Sequence, residues 1–149
     1  MRIFVTCARS RVERARAVAR ALDLAGHDVV SRWHQGEGPF DLPDSDVALE
    51  EISGADEVDL TECDLLVALT ETDRGAIVGR DELVDIGVAW GLGLPVVWST
   101  QYDGRPALAF YRGNVFAAKR DEHVPTVIDA FARGRAPRTM RQLQLVRET

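Results

Sequence analysis

Two carboxylates one helical turn apart, Glu82 and Asp85, are the side chains of this sequence best placed to do chemistry. Residues three positions apart on a helix share a face, so this spacing puts both acids on one side of a predicted helix. Paired carboxylates beside an apolar pocket are equipped to cleave a glycosidic bond. One acts at the anomeric carbon, and the other handles the proton of the leaving group. The alternative interpretation is that both are first-turn acids that complement the helix dipole.

The surrounding elements predict that these acids lie at the edge of a parallel sheet. The helix stands between two short, largely apolar runs, 65–70 and 93–98, and runs of this kind are typical of strands buried on both faces. Leu65–Trp98 is therefore a predicted β-α-β unit with a right-handed crossover. Open parallel sheets bind ligands beyond the carboxyl ends of their strands, where this unit places the acidic loop Thr70–Arg80 with Asp73.

A second candidate site is the loop Cys7–Arg11, between a predicted first strand, Arg2–Cys7, and a helix that ends at Gly26. Ser10 is predicted to cap this helix. A helix N-terminus favours an anion, and the two arginines and the serine of the loop add donors that suit a phosphate. A capped helix with solvated arginines explains the same residues, and the sequence leaves both interpretations open.

The segment Trp33–Asp44 follows the second predicted strand, Asp28–Arg32, and contains several glycines and prolines. Segments of this length without regular structure are uncommon unless they are functional or disordered. Trp33, His34 and Phe40 are candidates to wall a pocket for a flat ring. The alternative is that the two aromatic residues only pack against the domain.

Length, composition and net charge limit the classes of protein to which this chain can belong. The length of 149 residues and the 46% apolar content predict one domain with its own core, residues 1–134, followed by a basic tail, residues 135–149. The net charge of −6 argues against general nucleic-acid binding. No apolar run approaches the roughly 18 residues of a membrane span, and strand-like residues stand where a leader would be. Cys7 and Cys63 have neither metal-ligand nor disulfide spacing, so the expectation is a reduced cytoplasmic protein.

The order of predicted elements is β-α-β-α-β-α-β-(β)-α. It predicts a flavodoxin-like, Rossmann-like α/β fold: a doubly wound sheet of four to five parallel strands with helices on both faces. The elements not yet mentioned are a helix over Ser45–Thr61, a last strand around Val115 and a helix beginning at Pro125. Eight acids lie in and around Ser45–Thr61, and most of this group, which includes Asp56 and Asp59, is interpreted as a solvated face. Dinucleotide, Walker A and Gly-x-Ser-x-Gly motifs do not occur in the sequence.

Five short motifs, in this order and spacing, resemble the nucleoside 2-deoxyribosyltransferase family, which includes 2′-deoxynucleoside 5′-phosphate N-hydrolases. The motifs are Asp64-Leu-Leu-Val-Ala-Leu-Thr, Gly79-Arg80, Asp85-Ile-Gly-Val-Ala, Gly93-Leu-Pro-Val and Asn114-Val-Phe. The similarity extends over nearly the whole chain. It implies a flavodoxin-like fold and cleavage of an N-glycosidic bond without a metal or an organic cofactor.

The resemblance also implies roles for particular residues. In the family, a glutamate two residues before the helix glycine attacks the sugar and forms a covalent glycosyl-enzyme. Here Asp85 occupies that position, and Glu82, one turn earlier, is the alternative nucleophile. Asp73 lies near the family's acid that assists the departing base. Family members commonly form homodimers or larger homo-oligomers, in which the segment around Asn114 completes a neighbour's pocket.

The leading hypothesis is an enzyme that cleaves or transfers at the N-glycosidic bond of a (deoxy)nucleoside or its 5′-monophosphate. The family's hydrolases are similar in having a Ser/Arg loop that grips a 5′-phosphate. Two alternatives are a non-catalytic nucleotide-binding module of the same fold and a glycohydrolase for NAD-type molecules. The predicted substrate-binding residues are Cys7, Arg9, Ser10, Arg11, Trp33, His34, Gly79, Arg80, Asn114 and Phe116.

Overall fold

The computed structural model describes residues 1–35, 46–73, 76–78, 81–99 and 115–134, and their side chains except those of 46–53, 71–73, 76–78 and 81. Phe40, Gly79, Arg80, Asn114 and the tail 135–149 lie outside the described residues. In chain order, the described elements are β1 (Arg2–Cys7), α1 (Val12–Leu24), β2 (Asp28–Val29), α2 (Asp46–Thr61), β3 (Leu65–Leu69), β4 (Glu71–Asp73), β5 (Ala76–Val78), α3 (Asp81–Gly91), β6 (Val96–Ser99), β7 (Val115–Ala118) and α4 (Val124–Ala132).

The main sheet consists of five parallel strands in the order β2-β1-β3-β6-β7. Helix α1 contacts α4, whereas α2 contacts α3, so helices cover both faces. The predicted flavodoxin-like fold is therefore confirmed. Strand β3 contains only leucine, valine and alanine, and all of it is buried, as expected for a strand covered on both sides. The strand order reverses between β1 and β3, so their carboxyl ends flank the place where such sheets bind ligands.

Helix α1 illustrates how the sequence pattern produces the packing. Its buried residues, Ala15, Val18, Ala19 and Leu22, recur at intervals of three and four and lie against the sheet. The helix ends just before Gly26, which has a φ of 84°, a conformation that glycine adopts without the strain of a Cβ. The predicted end of this helix is confirmed.

The predicted second strand, Asp28–Arg32, is too long, because β2 contains only Asp28 and Val29. A backbone hydrogen bond from Val30 to Ile3 continues the pairing for one more residue. The hydroxyl of Ser31 then takes the place of a backbone carbonyl and accepts a hydrogen bond from the Val5 amide at 3.1 Å. At this edge of the sheet, the Ser31 side chain thus replaces one backbone hydrogen bond between the strands.

Two other local predictions are wrong. Ser10 does not cap α1, since it lies inside a 3₁₀ turn, Arg9–Arg11, and Arg11 occupies the N-cap position. The acidic segment Thr70–Arg80 is more than a loop, because β4 and β5 within it pair as antiparallel strands. Each of these strands has three residues, which is too short for an alternating pattern to be read in the sequence.

A buried ion pair holds the carboxyl edge of the sheet together. Arg14 of α1 donates two hydrogen bonds to the carboxylate of Asp121, at 2.6 and 2.8 Å. The same guanidinium donates to the carbonyls of Thr70 and Ser99, the residues at the ends of β3 and β6. The indole of Trp98 donates to the Thr70 hydroxyl at 2.7 Å. A bidentate pair of this kind fixes orientation as well as distance, so the ends of two neighbouring strands are held in place.

Among the described helices, none is long and apolar enough to cross a membrane.

Candidate active site

The end of β1 and the first turns of α3 meet in a hydrogen bond between side chains. Thr6, buried near the end of β1, donates from its hydroxyl to Oδ2 of Asp85 at 2.5 Å. Asp85 is half-buried on α3, a helix that contacts both β1 and β3. The carboxylate is therefore held at the switch point of the sheet, where ligands of such folds bind.

Glu82 lies one turn before Asp85 and is buried more deeply, with 1% of its surface exposed. Water reaches Asp85 only in part and Glu82 hardly at all, so neither acid is a solvated surface residue. The alternative that both complement the helix dipole stays open. Burial of a carboxylate is costly unless the group is hydrogen-bonded, paired with an opposite charge or protonated. Asp85 is the more accessible of the two to a ligand.

Asp56 of α2 is a third carboxylate of this site. Its Oδ2 lies 3.4 Å from the guanidinium of Arg9, and both side chains are one-quarter exposed. Burial raises the pKa of Asp56 to about 6; Arg9 opposes this rise, and the negative charges of Asp85 and Asp59 add to it. Two neighbouring carboxylates with different environments are the arrangement that separates an acid from a nucleophile.

The interpretation of these α2 acids as a solvated face does not hold for Asp56 and Asp59. Asp59 is buried and ion-paired with Arg32, at 2.8 Å. A signal was available in the sequence, because Asp56 stands four residues before Leu60 on the face of α2 that faces the core. The direction in which that face points depends on how α2 packs beside α3.

The loop after β1 lies beside these acids. Cys7 is buried and its thiol contacts the carbonyl of Arg11 at 3.8 Å. Ser10 and Arg11 are exposed, whereas Arg9 is half-buried toward Asp56. Within the described ranges, no group of three His, Cys, Asp or Glu side chains comes together that could hold a metal ion.

Two solved structures are similar to this chain over most of its length. A 2-deoxyribosyltransferase from the psychrotolerant bacterium Bacillus psychrosaccharolyticus matches with a TM-score of 0.67 and 16% identity, covering 84% of this chain and 90% of that one. A CMP N-glycosidase from Clostridium botulinum matches with a TM-score of 0.58 and 16% identity, covering 87% of this chain and 99% of that one. This chain has the 2-deoxyribosyltransferase fold. No family model matches the sequence, and neither does any curated protein.

At 16% identity, the structural similarity establishes the fold. It therefore confirms, as far as the fold is concerned, the resemblance that the five sequence motifs indicated. Three of the five motifs, those that begin at Asp64, Asp85 and Gly93, contain β3, part of α3 and the first residue of β6. Strand β3 contacts both α3 and β6. These three motifs therefore lie together at the centre of the sheet.

Trp33 and His34 are buried next to β1, where they support the 2-deoxyribosyltransferase fold. The indole of Trp33 donates to the carbonyl of Val5 at 2.7 Å, and the Trp33 and His34 rings meet edge to face. His34 is buried, its Nε2 lies 2.9 Å from the Ser31 hydroxyl, and Arg16 donates to its carbonyl. These contacts agree with the packing alternative, in which the aromatic residues support the domain.

Phe116 of β7 lies on the other side of the sheet from Asp85. Its ring packs at 5.2 Å on Phe131 of α4, whereas Asp85 belongs to α3, on the opposite face. The structure therefore does not bring Phe116 together with the acids. Asp73 belongs to β4, directly after the end of β3, and its side chain is outside the described residues.

Acid is expected to destabilise this fold through His34. Burial lowers the pKa of His34, and the nearby Arg16 lowers it further, so the unfolded chain binds this proton more readily than the folded one. The stabilisation is fully present above a pH of about 6.5 and is lost as the pH falls through the lowered pKa. Chemical denaturation at a series of pH values measures this loss.

Two variants make this test specific. His34→Gln cannot titrate and is expected to show a flatter dependence of unfolding free energy on pH than the original chain. The control is His123→Gln, because the His123 side chain is half exposed at the surface and its removal is expected to leave the slope unchanged. A slope that survives in His34→Gln contradicts the prediction.

Proposed function

We propose that this protein is an enzyme that cleaves or transfers at the N-glycosidic bond of a nucleoside or nucleoside 5′-monophosphate, with Asp85 as the nucleophile. The observation that carries the proposal is the Thr6–Asp85 hydrogen bond, which holds a half-buried carboxylate at the switch point of the sheet. Two solved structures of similar fold, described above, bear the names of a 2-deoxyribosyltransferase and a CMP N-glycosidase, and both names denote reactions at the bond between base and sugar.

The proposed reaction has two steps. A carboxylate oxygen of Asp85 attacks the anomeric carbon and forms an ester with the sugar, while the bond to the base breaks and its electron pair leaves with the base nitrogen. A carboxylic acid donates a proton to the departing base. In the second step, water or a second base attacks the same carbon, the ester bond to Asp85 breaks, and the carboxylate of Asp85 is restored. The group that protonated the first base, now ionised, takes the proton of the attacking water or base, so the product is the free sugar or a new nucleoside.

Asp56 is the proposed proton donor. A carboxyl group with a pKa of about 6 keeps its proton in about half of the molecules at pH 6 and in roughly a tenth of them at pH 7, whereas an ordinary aspartate is almost fully ionised at both. The negative charge of Asp85 contributes to the raised pKa of Asp56, which supports the proposal that the two carboxylates act at one site. Asp73, which the resemblance implied for this role, stays the alternative donor, and Glu82 stays the alternative nucleophile.

Substrate recognition is proposed for the loop after β1. Arg9 lies beside Asp56, and Ser10 and Arg11 are exposed. The proposed role of Ser10 and Arg11 is to donate hydrogen bonds to the 5′ end of the sugar. The roles of Gly79, Arg80 and Asn114, the cytoplasmic location and the homo-oligomer are still predictions from the sequence.

The direct test is the release of free base. The purified protein is incubated with each deoxynucleoside, ribonucleoside, their 5′-monophosphates and NAD, and the products are separated by reverse-phase chromatography. The proposal expects a free base from at least one nucleoside or nucleotide, and a new nucleoside on addition of a second base if the enzyme is a transferase. Nicotinamide release from NAD alone indicates the glycohydrolase alternative. A rise in melting temperature with nucleotides but without any base indicates a binding module, and either result overturns the proposal.

A further inference from the structure

The ion pair between Arg9 and Asp56 is looser than the pair that Arg14 forms with Asp121 at the same edge of the sheet. Nη2 of Arg9 lies 3.4 Å from Oδ2 of Asp56. A strong charge-assisted hydrogen bond is about 2.7–2.9 Å long, and the two bonds from Arg14 to Asp121 are that short, at 2.6 and 2.8 Å. The contact between Arg9 and Asp56 is therefore the weaker one, and a competing ligand opens it more easily.

Arg9 reaches both Asp56 and the solvent. Each of these two side chains is one-quarter exposed, so an anion in solution can contact the guanidinium without disturbing the core. The backbone at Arg9 is held by a 3₁₀ turn, in which the amide of Arg11 donates to the carbonyl of Ala8 at 2.7 Å. The turn fixes the point from which the Arg9 side chain extends, and rotation of that side chain is enough to move its charge away from Asp56.

The charged groups that act on Asp56 come from four parts of the chain: Arg9 after β1, Arg32 after β2, Asp59 of α2 and Asp85 of α3. Arg32 is bound to Asp59, since its Nε lies 3.0 and 2.9 Å from the two carboxylate oxygens, so these two charges largely cancel. Of the four, Arg9 has the largest effect, and it lowers the pKa of Asp56 against the effect of burial. Without the charge of Arg9, burial and Asp85 both favour the protonated carboxyl group.

We propose that Arg9 couples the binding of an anionic substrate to the loading of a proton onto Asp56. The negative group of the substrate binds the guanidinium of Arg9, the ion pair opens, and the carboxylate of Asp56 takes up one proton from solvent. A guanidinium binds a phosphate through two parallel hydrogen bonds, which are stronger than one long contact to a carboxylate. The proposal rests on the proposed function and deepens it, because the proton donor becomes ready when an anionic substrate is bound.

This coupling gives specificity through the chemical step as well as through binding. With a nucleoside bound, the ion pair stays closed and roughly a tenth of the molecules carry the proton on Asp56 at pH 7. With a 5′-monophosphate bound, we expect about half of them to carry it. At this pH, kcat is therefore expected to be about 5-fold higher for the nucleotide than for the matching nucleoside. The ratio is expected to approach one below a pH of about 5, where Asp56 is protonated with either substrate.

The first test follows the proton on Asp56 without any reaction. Carbon-13 NMR of the aspartate carboxyl groups is recorded across the pH range in which Asp56 titrates, and its signal is the one that Asp56→Asn lacks. The probe is sulfate, an oxyanion whose charge stays constant over this range, and chloride at equal ionic strength is the reference. The midpoint is expected near pH 6 in chloride and at a higher pH in sulfate.

Variants of Arg9 assign this response to its charge. Arg9→Gln is expected to raise the midpoint of Asp56 already in chloride and to remove the further rise in sulfate. Arg9→Lys keeps a positive charge and is expected to restore part of the response. The control is Arg20→Gln, which removes the same charge from an exposed position on α1 and is expected to behave like the original chain. Backbone amide signals of the turn 9–11 report whether sulfate binds there.

The second test compares pH profiles of kcat for a nucleoside and its 5′-monophosphate. The alkaline decline is expected at a higher pH for the nucleotide, and the two declines are expected to coincide in Arg9→Gln. The proposal is overturned by amide signals of the turn that ignore sulfate, by a midpoint of Asp56 that neither sulfate nor Arg9→Gln moves, or by equal declines for both substrates. The NMR signal is read without turnover, so a chain that shows the coupling but releases no base contradicts the proposed function alone.

Discussion

Asp85→Asn is expected to lower the rate of base release by about 10³-fold or more, since removal of a nucleophile has cost up to roughly 10⁶-fold where it has been measured. Asparagine keeps an oxygen that accepts the hydrogen bond from Thr6, so the fold is expected to survive. What it lacks is the negative oxygen that forms the ester with the sugar. The measurement is the initial rate of base formation with the best substrate, together with thermal unfolding of both chains.

Glu82→Gln is the matched comparison for this prediction. Glu82 is on the same helix and is almost completely buried. Its variant therefore tests whether the loss of any buried carboxylate from α3 lowers the rate as much as the loss of Asp85 does. We expect a much smaller loss than for Asp85→Asn. If Glu82→Gln abolishes activity while Asp85→Asn retains it, Glu82 is the nucleophile and the proposed assignment is wrong.

Thr6→Val tests the support of Asp85. Valine has nearly the shape of threonine without the hydroxyl, so Asp85 loses its fixed hydrogen bond while the strand keeps its packing. The expected loss in kcat is about 10-fold to 10²-fold, the scale of a misplacement of roughly 1 Å. An unchanged kcat in a folded variant contradicts the role of Thr6 in positioning the carboxylate.

The second large effect is expected for Asp56. A proton donor must carry its proton, so kcat/KM is expected to be level below a pH of about 6 and to fall as the pH rises through that value. Asp56→Asn is expected to lower activity by about 10²-fold to 10⁴-fold at low pH and to abolish this alkaline decline. The measurement is a pH profile of kcat/KM for both chains.

Asp59→Asn provides the control for the profile of Asp56. Asp59 is one turn along α2, and its charge raises the pKa of Asp56. Its removal is expected to keep most of the activity at low pH and to move the midpoint of the decline to a lower pH. A decline that persists unchanged in Asp56→Asn assigns the proton donor elsewhere, with Asp73 as the next residue to replace.

The sequence by itself determined the sheet and the order of its elements. Strand β1 has the predicted bounds and β3 lies within the predicted run 65–70. Helix α1 ends, and α4 begins, within two residues of the predicted positions. These elements are long enough for apolar residues to repeat with the period of a strand or a helix, and that local repetition decides which side is buried. The motif at Asp85 also identified the helix that carries the candidate nucleophile.

Tertiary structure alone decided how the site is assembled. Thr6 and Asp85 are 79 residues apart in the chain, and the hydrogen bond between them exists because α3 packs across the ends of β1 and β3. Asp56 looked like one of many solvated acids, and only the packing of α2 against α3 gives its carboxyl group a buried environment beside a second negative charge. Burial, distance and pKa arise from contacts between distant segments, and a periodic pattern in the sequence carries no information about them.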